Sequence, residues 1–492
     1  MLPAREVETL LAYWSYRAGS SMIEDDGLNV YAGAERGWSR QGKLPSWRWE
    51  ALRTTFWFVP TILVVVAGLL FVVTVEIDWA AYHRHLGLPF WIEAGSPDAA
   101  RQVLIAIAAA VLTVVGVVFS ITILALTLAS QQFGPRMMRN FVRDVGNQVT
   151  LGIFVSTVVY SLLCLVSITS APQTHFGPFA PRLSISVAEA LLLVDLAVLI
   201  YFIHHIAKSI QLPEVIAGIA RDLMRGIDSE FPESRTEPKT PPPIEIGKSV
   251  SELLQLIDDR GGAVPADTSG YLQFVGYAQL IDIAARTDAV IRLDHRPGHF
   301  IMAGRPLATV WPQGAAGQVA LALAKAHVTG PHRTLMQDPV FAIDQLVEIA
   351  IRALSPAVND TFTALTCIDW LAAGLGRVSG RTLEEGVYRD RFGRVRLIES
   401  GPSYARMVNR AFDKIRQAAR GMPAVIIRMM DALTNIMAQT TSVEQRRTLA
   451  RQAEMIFQNA QESVPDANDR KDIDMRYQGV LSRLSLDVEV DA

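Results

Sequence analysis

Thr113, Gly116, Ser120, Thr127, Ser130 and Gln131 recur within one long apolar run. Their spacing places them on one face of a helix turned by about 100° per residue. Ile123 and Leu124 interrupt that polar stripe. Hydroxyls from several copies around an axis would line a wettable path, and the two aliphatics would form a constriction that gates by dewetting. The same residues would equally let neighbouring helices approach closely and hydrogen-bond across their seam.

Just beyond the stripe, Gly134 and Pro135 form a candidate hinge, because proline removes a backbone donor and clashes with the preceding turn. Arg136, Arg139 and Arg143 then share one face at steps of three and four. That basic face would concentrate anions at a cytoplasmic mouth, or couple movement of a soluble domain to the helix. Attraction to anionic lipid headgroups and control of topology account for it as simply. Asp195 lies near the middle of another apolar run, where an ionised carboxylate is costly and faces a cavity or a partner. By depth, Tyr160, Ser161, Thr113 and Gly116 are its expected neighbours. It reads either as an ion- or proton-handling group or as a protonated carboxyl in a helix-packing contact.

Outside the apolar runs, Arg292, His295, Arg296, His299 and Arg305 gather around the Pro297-Gly298 and Gly304 turns. They offer a pocket for a small anion, although a basic hairpin is more commonly a solvated face. The phrase from Arg296 to Val310 resembles the glycine-turn hairpin of lipoyl- and biotinyl-carrying domains, but no lysine occupies its tip, so no covalent cofactor is expected. Asp344, Glu348 and Arg352 share a helix face at steps of four: a ligand or subunit contact if buried, mere helix support if exposed. Asp338 is placed to cap that helix with Pro339 at its first position, and Asn359 or Asp360 to cap the next.

Hydrolase, P-loop and zincin motifs are missing, so an enzyme is not the leading class. Cys164 and Cys367 lack zinc spacing, and Pro297-Gly298 interrupts His295 and His299, so no metal is expected. A net charge of -3 argues against nucleic acid as a partner.

The elements that must position these residues are four apolar runs, at 56–75, 103–128, 149–168 and 185–206. Each approaches or exceeds the roughly 20 residues that span a bilayer as a helix. With 55 largely polar residues before it, the first run reads as a retained span and not as a cleaved signal. Eleven lysines and arginines flank the first span's start, the second loop and the fourth span's end, against three in the other two loops. Positive loops stay inside, so both termini are expected in the cytoplasm of a bacterial inner membrane.

Residues 1–55 form an N-terminal cytoplasmic segment, 56–210 the membrane domain and 211–243 a helix and proline-rich linker. Short β runs mark 244–330 as a small α+β module, and 331–492 reads as mainly helical with a hairpin turning at Arg391-Phe392-Gly393-Arg394. The expected fold class is therefore four transmembrane helices plus a cytoplasmic α+β domain.

Three stretches resemble a bacterial family of predicted integral membrane proteins, domain of unknown function 2254. They are Leu126-Thr127-Leu128-Ala129-Ser130-Gln131-Gln132-Phe133-Gly134-Pro135-Arg136, the segment 270–310, and Gln337-Asp338 through Ser355-Pro356-Ala357-Val358-Asn359-Asp360 to Thr363-Ala364. The resemblance covers about 50–480 and implies architecture, with no activity attached. From the residues themselves, the expectation is a homo-oligomeric channel-like protein in contact with membrane lipids. Its pore is lined by the second span and regulated by the cytoplasmic domain, with ions or a small anion as ligands. The alternative is a non-conducting anchored sensor or scaffold.

Overall fold

The computed structural model describes residues 57–84, 96–133, 144–168, 179–231, 248–381, 386–401 and 403–485. Four apolar helices come first: α1 (Phe58–Arg84), α2 (Pro97–Phe133), α3 (Val145–Ser167) and α4 (Arg182–Ser209). Each is long and apolar enough to cross a bilayer. Helix α3 is central, touching the other three. Gly152 allows its close approach to α1, since a Cβ there would meet Leu63 Cδ1 at 2.6 Å and Pro60 Cα at 3.1 Å. Phe154, Tyr160 and Cys164 fill the seam with Leu104 and Val111 of α2 and Phe202 of α4.

Helix α1 runs past Val75, carrying Glu76 and Asp78 within it. It does so because the Asp78 carboxylate is fully used. Its Oδ1 accepts from Leu183 N at 2.8 Å, and its Oδ2 accepts from Ser184 N at 2.9 Å and Ser184 Oγ at 2.8 Å. The N-cap of α4 is Pro181, which has no side-chain oxygen to offer. Asp78 therefore satisfies the orphan N–H groups of α4 from across the bundle. At the opposite end, Asp144 caps α3 through Gly146 N at 2.8 Å and meets His205 Nε2 of α4 at 2.7 Å. One carboxylate thus staples the bundle near each of its ends.

After α4 the chain turns through Ile210 and Gln211 into α5 (Leu212–Glu230). Ile216, Ile219, Leu223 and Ile227 of α5 belong to the largest core cluster, shared with α9 (Val340–Ala353), α10 (Thr361–Ser379), α11 (Tyr404–Ala418), α12 (Pro423–Gln439), α13 (Val443–Ser463) and α14 (Ala467–Ser485). The helix placed with the linker by sequence is thereby a structural part of the helical core.

Between α5 and α9 lie α6 (Val250–Arg260), β1 (Gly262–Pro265), β2 (Gly270–Val275), α7 (Tyr277–Arg286), β3 (Val290–Leu293), β4 (Phe300–Ile301), β5 (Pro306–Trp311), α8 (Ala316–Ala326) and β6 (His327–Gly330). The hairpin β7 (Val387–Arg389) and β8 (Val395–Glu399) turns at Gly393, whose φ of 77° suits glycine. A five-stranded sheet runs β1-β5-β3-β8-β7, with β8 parallel to β3 and the other neighbours antiparallel. The late hairpin therefore completes the sheet of the early module. Strands β4-β2-β6 form a second, smaller sheet.

Candidate functional site

The polar stripe of α2 lies on the outside of the four-helix bundle. Thr113, Gly116, Ser120, Ile123, Leu124 and Thr127 are all exposed within one chain. A Cβ added at Gly116 would have nothing within 4 Å. The hydroxyls are satisfied along their own helix: Thr113 Oγ1 donates to Ala109 O at 2.8 Å, Ser120 Oγ to Gly116 O at 2.8 Å and Thr127 Oγ1 to Ile123 O at 2.9 Å. Such back-bonding lets a hydroxyl face lipid, protein or water without an unpaired proton. Among the described residues, no seam inside the bundle uses the stripe. Gln131 lies within α2, with its side-chain surroundings outside the described residues. The hinge Gly134 and Pro135 and the basic face Arg136, Arg139 and Arg143 also lie outside the described residues.

Asp195 faces inward and is buried. The Thr157 hydroxyl stands 3.2 Å from both Asp195 Oδ1 and Ile153 O, while Asp195 Oδ2 has no hydrogen bond among the described residues. Its partner is thus Thr157, one turn from the expected Tyr160 and Ser161. Tyr160 is engaged elsewhere, 2.9 Å from Thr74 Oγ1 of α1. Asp195 and the α2 stripe do not converge: one sits in the bundle core, the other on its rim.

In the C-terminal domain four of the five candidate basic residues separate into two places, and the His299 ring lies 6.1 Å from that of His295. Arg292, His295 and Arg305 line a shallow surface depression with Phe300 and Met302. Arg292 is paired there with Asp258 and with Asp294. Arg296 instead lines a small pocket of about 60 Å³, with Tyr277, Asp338, Tyr388 and Glu399. Burial, then the neighbouring Arg406 charge, pulls the Arg296 pKa down, and its Nη1 has no hydrogen bond among the described residues. His299 is lowered to about 4, first by burial and then by Arg296.

The row Asp344, Glu348 and Arg352 is half-buried on α9. Asp344 is held by Arg333 from the preceding loop and by Arg410 of α11. Glu348 lines a groove of about 1110 Å³ beside Arg406, Arg410 and Lys414. Asp338 does not cap α9, whose N-cap is Pro339 without a side-chain bond. Its carboxylate takes Arg333, five residues back in the preceding loop, at 2.6 Å, an ion pair that outweighs the cap. Burial raises the Asp338 pKa against the pull of Arg333. Gln337 beside it grips β2, accepting from Val275 N at 2.8 Å and donating to Val275 O at 3.1 Å. Asp360 does cap α10, accepting from Thr363 N at 3.1 Å, and Asn359 holds a φ of 51° just before it.

Asp78, Gln337 and Arg333 were not singled out as site residues by sequence. A carboxylate three residues past the apolar run, at Asp78, was the one local signal for the first.

Four apolar helices, followed by a domain in which helices and two sheets share one chain, define a membrane protein with a large extramembrane part. The chain belongs to the family described as "Predicted membrane protein (DUF2254)", whose model matches residues 53–435. Uncharacterized proteins of Mycobacterium bovis and of Mycobacterium tuberculosis are 33% identical to it over 387 residues, covering 76% of this chain and 71% of theirs. No solved structure matches it.

Proposed function

We propose that the protein is a homo-oligomeric, channel-like component of the bacterial inner membrane, with both termini in the cytoplasm. In this reading α2 lines the path, Ile123 and Leu124 form the apolar constriction, and the C-terminal domain regulates it. The observation that carries the reading is the outward position of Thr113, Gly116, Ser120 and Thr127. A glycine inside a helix costs roughly 1 kcal/mol relative to alanine, and Gly116 recovers nothing by close packing inside its own chain. A neighbouring copy, or the water it encloses, gives that face a use.

Purified protein in planar bilayers tests the proposal. Ion conductance is expected, reduced by Ser120→Leu and raised at rest by Ile123→Ser, which wets the constriction. Electrically silent protein at every voltage and pH sinks it.

A second reading has a separate observation behind it. The groove of the C-terminal domain presents Arg406, Arg410 and Lys414 at steps of four along α11, with Arg410 shared with Asp344 and with Glu348 and Asp413 beside them. That geometry suits an anionic metabolite, and would make the protein an anchored sensor whether or not it conducts. Titration calorimetry of the full chain with organic phosphates and carboxylates separates the two readings.

A further inference from the structure

The corner between α9 and α10, residues 355–360, is rigid and carries unburied apolar side chains. Val358 N and Asn359 N donate to Ser355 O at 3.0 and 2.9 Å, and Asp360 N donates to Ala353 O at 2.8 Å. Asn359 in the left-handed region completes the turn. On this frame Val358 is 54% exposed and Phe362, in the first turn of α10, is 82% exposed. Val358 and Phe362 thus give the corner an open apolar tip.

The position of the corner says what that partner is. Helices α5 and α10 run parallel and in register. Arg377 binds Asp228 through Nε at 2.7 Å and Nη2 at 2.9 Å, Arg381 Nη1 donates to Phe231 O at 2.6 Å, and a Cβ on Gly374 would touch Leu223. These contacts pair residues about 150 apart in sequence, so the start of α10 lies level with Leu212. Helix α9 runs the other way, its Pro339 against Gly226 and its end returning to the same level. Leu212 follows the last turn of α4 by only three residues, which puts it at the membrane surface.

We infer that the 355–360 corner, with Val358 and Phe362 at its tip, rests in the headgroup–acyl boundary of the protein's own bilayer, beside the point where α4 leaves it. The occupant is lipid. The corner returns to the level of the membrane exit, and its exposed groups are apolar, as shallow interfacial insertion requires. The domain is thereby held at a second point as well as by the α4–α5 connection. This assigns Asn359 and Asp360 the role of shaping a lipid contact instead of binding a ligand.

The test uses the full chain in phosphatidylcholine–phosphatidylglycerol vesicles, with an environment-sensitive fluorophore on a cysteine introduced as Phe362→Cys, Val358→Cys or Ser229→Cys. Cys164 and Cys367 are buried, so the introduced thiol takes the label. Ser229 is exposed near the far end of α5, about 25 Å from Leu212 at roughly 1.5 Å per residue. Lipids carrying a nitroxide near the headgroup are expected to quench the label at 362 and 358 at least twofold more than at 229. Labels at 362 and 358 as unquenched as at 229 overturn the proposal. A blue-shifted but unquenched label at 362 also overturns it, since the corner then meets protein. Equal quenching at all three positions overturns the end-on placement.

Discussion

Gly298 and Asp338 press against each other across the junction of the small sheet and the helical core: a Cβ on Gly298 would lie 2.1 Å from Asp338 Oδ2. Gly298 also has a φ of 91°, which side-chain-bearing residues rarely adopt. Its N–H donates to Leu272 O at 2.8 Å, fixing the turn on β2. Gln337 ties the other side of β2, and Asp338 binds Arg333, which reaches on to Asp344 and so to Arg410. The Gln337-Asp338 pair is thus a fastener between the two halves of the C-terminal domain.

Gly298→Ala is therefore expected to destabilise the C-terminal domain by about 1–3 kcal/mol, combining backbone strain with the displacement of Asp338. In an Asp338→Ala background the steric part disappears, and the added penalty should fall to the strain alone. Thermal unfolding of the four proteins of this cycle measures the coupling, and additivity would refute the contact.

His299 gives the domain an acid sensitivity of defined sign. A base whose folded pKa, about 4, lies below its ordinary 6.5 holds its proton more weakly when folded. Between those two values the unfolded chain binds more protons, so stability falls as pH drops through that window. With His299 only partly shielded from solvent, the loss is expected to be roughly 1–2 kcal/mol. Asp338, raised by burial, acts with the opposite sign, so the difference between wild type and His299→Gln isolates the histidine. The fall in melting temperature between pH 7 and pH 4.5 should be smaller for the variant than for wild type.

Asp78→Ala should loosen the membrane domain, because it frees Leu183 N, Ser184 N and the Ser184 hydroxyl together. Helix caps are worth about 0.5–2 kcal/mol, and a site remote from water stands at the upper end. Asp78→Asn, which keeps an acceptor oxygen, should recover part of the loss. Unfolding in mixed detergent micelles reads both variants.

The length of the C-terminal fragment that folds is a direct consequence of α5 lying in its core. A fragment starting at 212 should unfold cooperatively. One starting at 244 leaves the surfaces against Ile216, Ile219, Leu223 and Ile227 bare and should aggregate or melt without a sharp transition. Differential scanning calorimetry of the two fragments decides it.

What could be read in the sequence follows from how local each signal is. The four apolar runs announce themselves by length, and β2, β3, β5 and the Gly393 hairpin by alternation and turn residues. Strands β1 and β6 escaped because four residues containing proline or glycine carry no periodicity, and only pairing to β5 and β2 makes them strands. Asp338 looked like a helix cap because the cap motif with Pro339 is explicit, whereas its ion pair with Arg333, five residues earlier in an irregular loop, follows no recurring spacing. The Asp78 link to α4 spans more than a hundred residues and had no pattern to betray it. The α2 stripe was legible, but its outward position was not, since a helical face says nothing about which neighbour it meets.

Gly116→Leu addresses that last point, because the site is open within the chain and the substitution leaves the monomer bundle intact. Against lipid alone, replacing a mid-helix glycine should be neutral or stabilising by up to about 1 kcal/mol. Against another copy of α2, four added carbons would hold the backbones apart, since small residues are what permit close helix packing in lipid. Under the oligomer proposal the variant should melt like wild type yet assemble poorly, with dissociation raised at least tenfold in mass photometry of detergent-solubilised protein. Gly116→Ala, with one carbon, should fall between. If both variants keep the wild-type assembly state, the stripe faces lipid, and the pore must be sought on another helix.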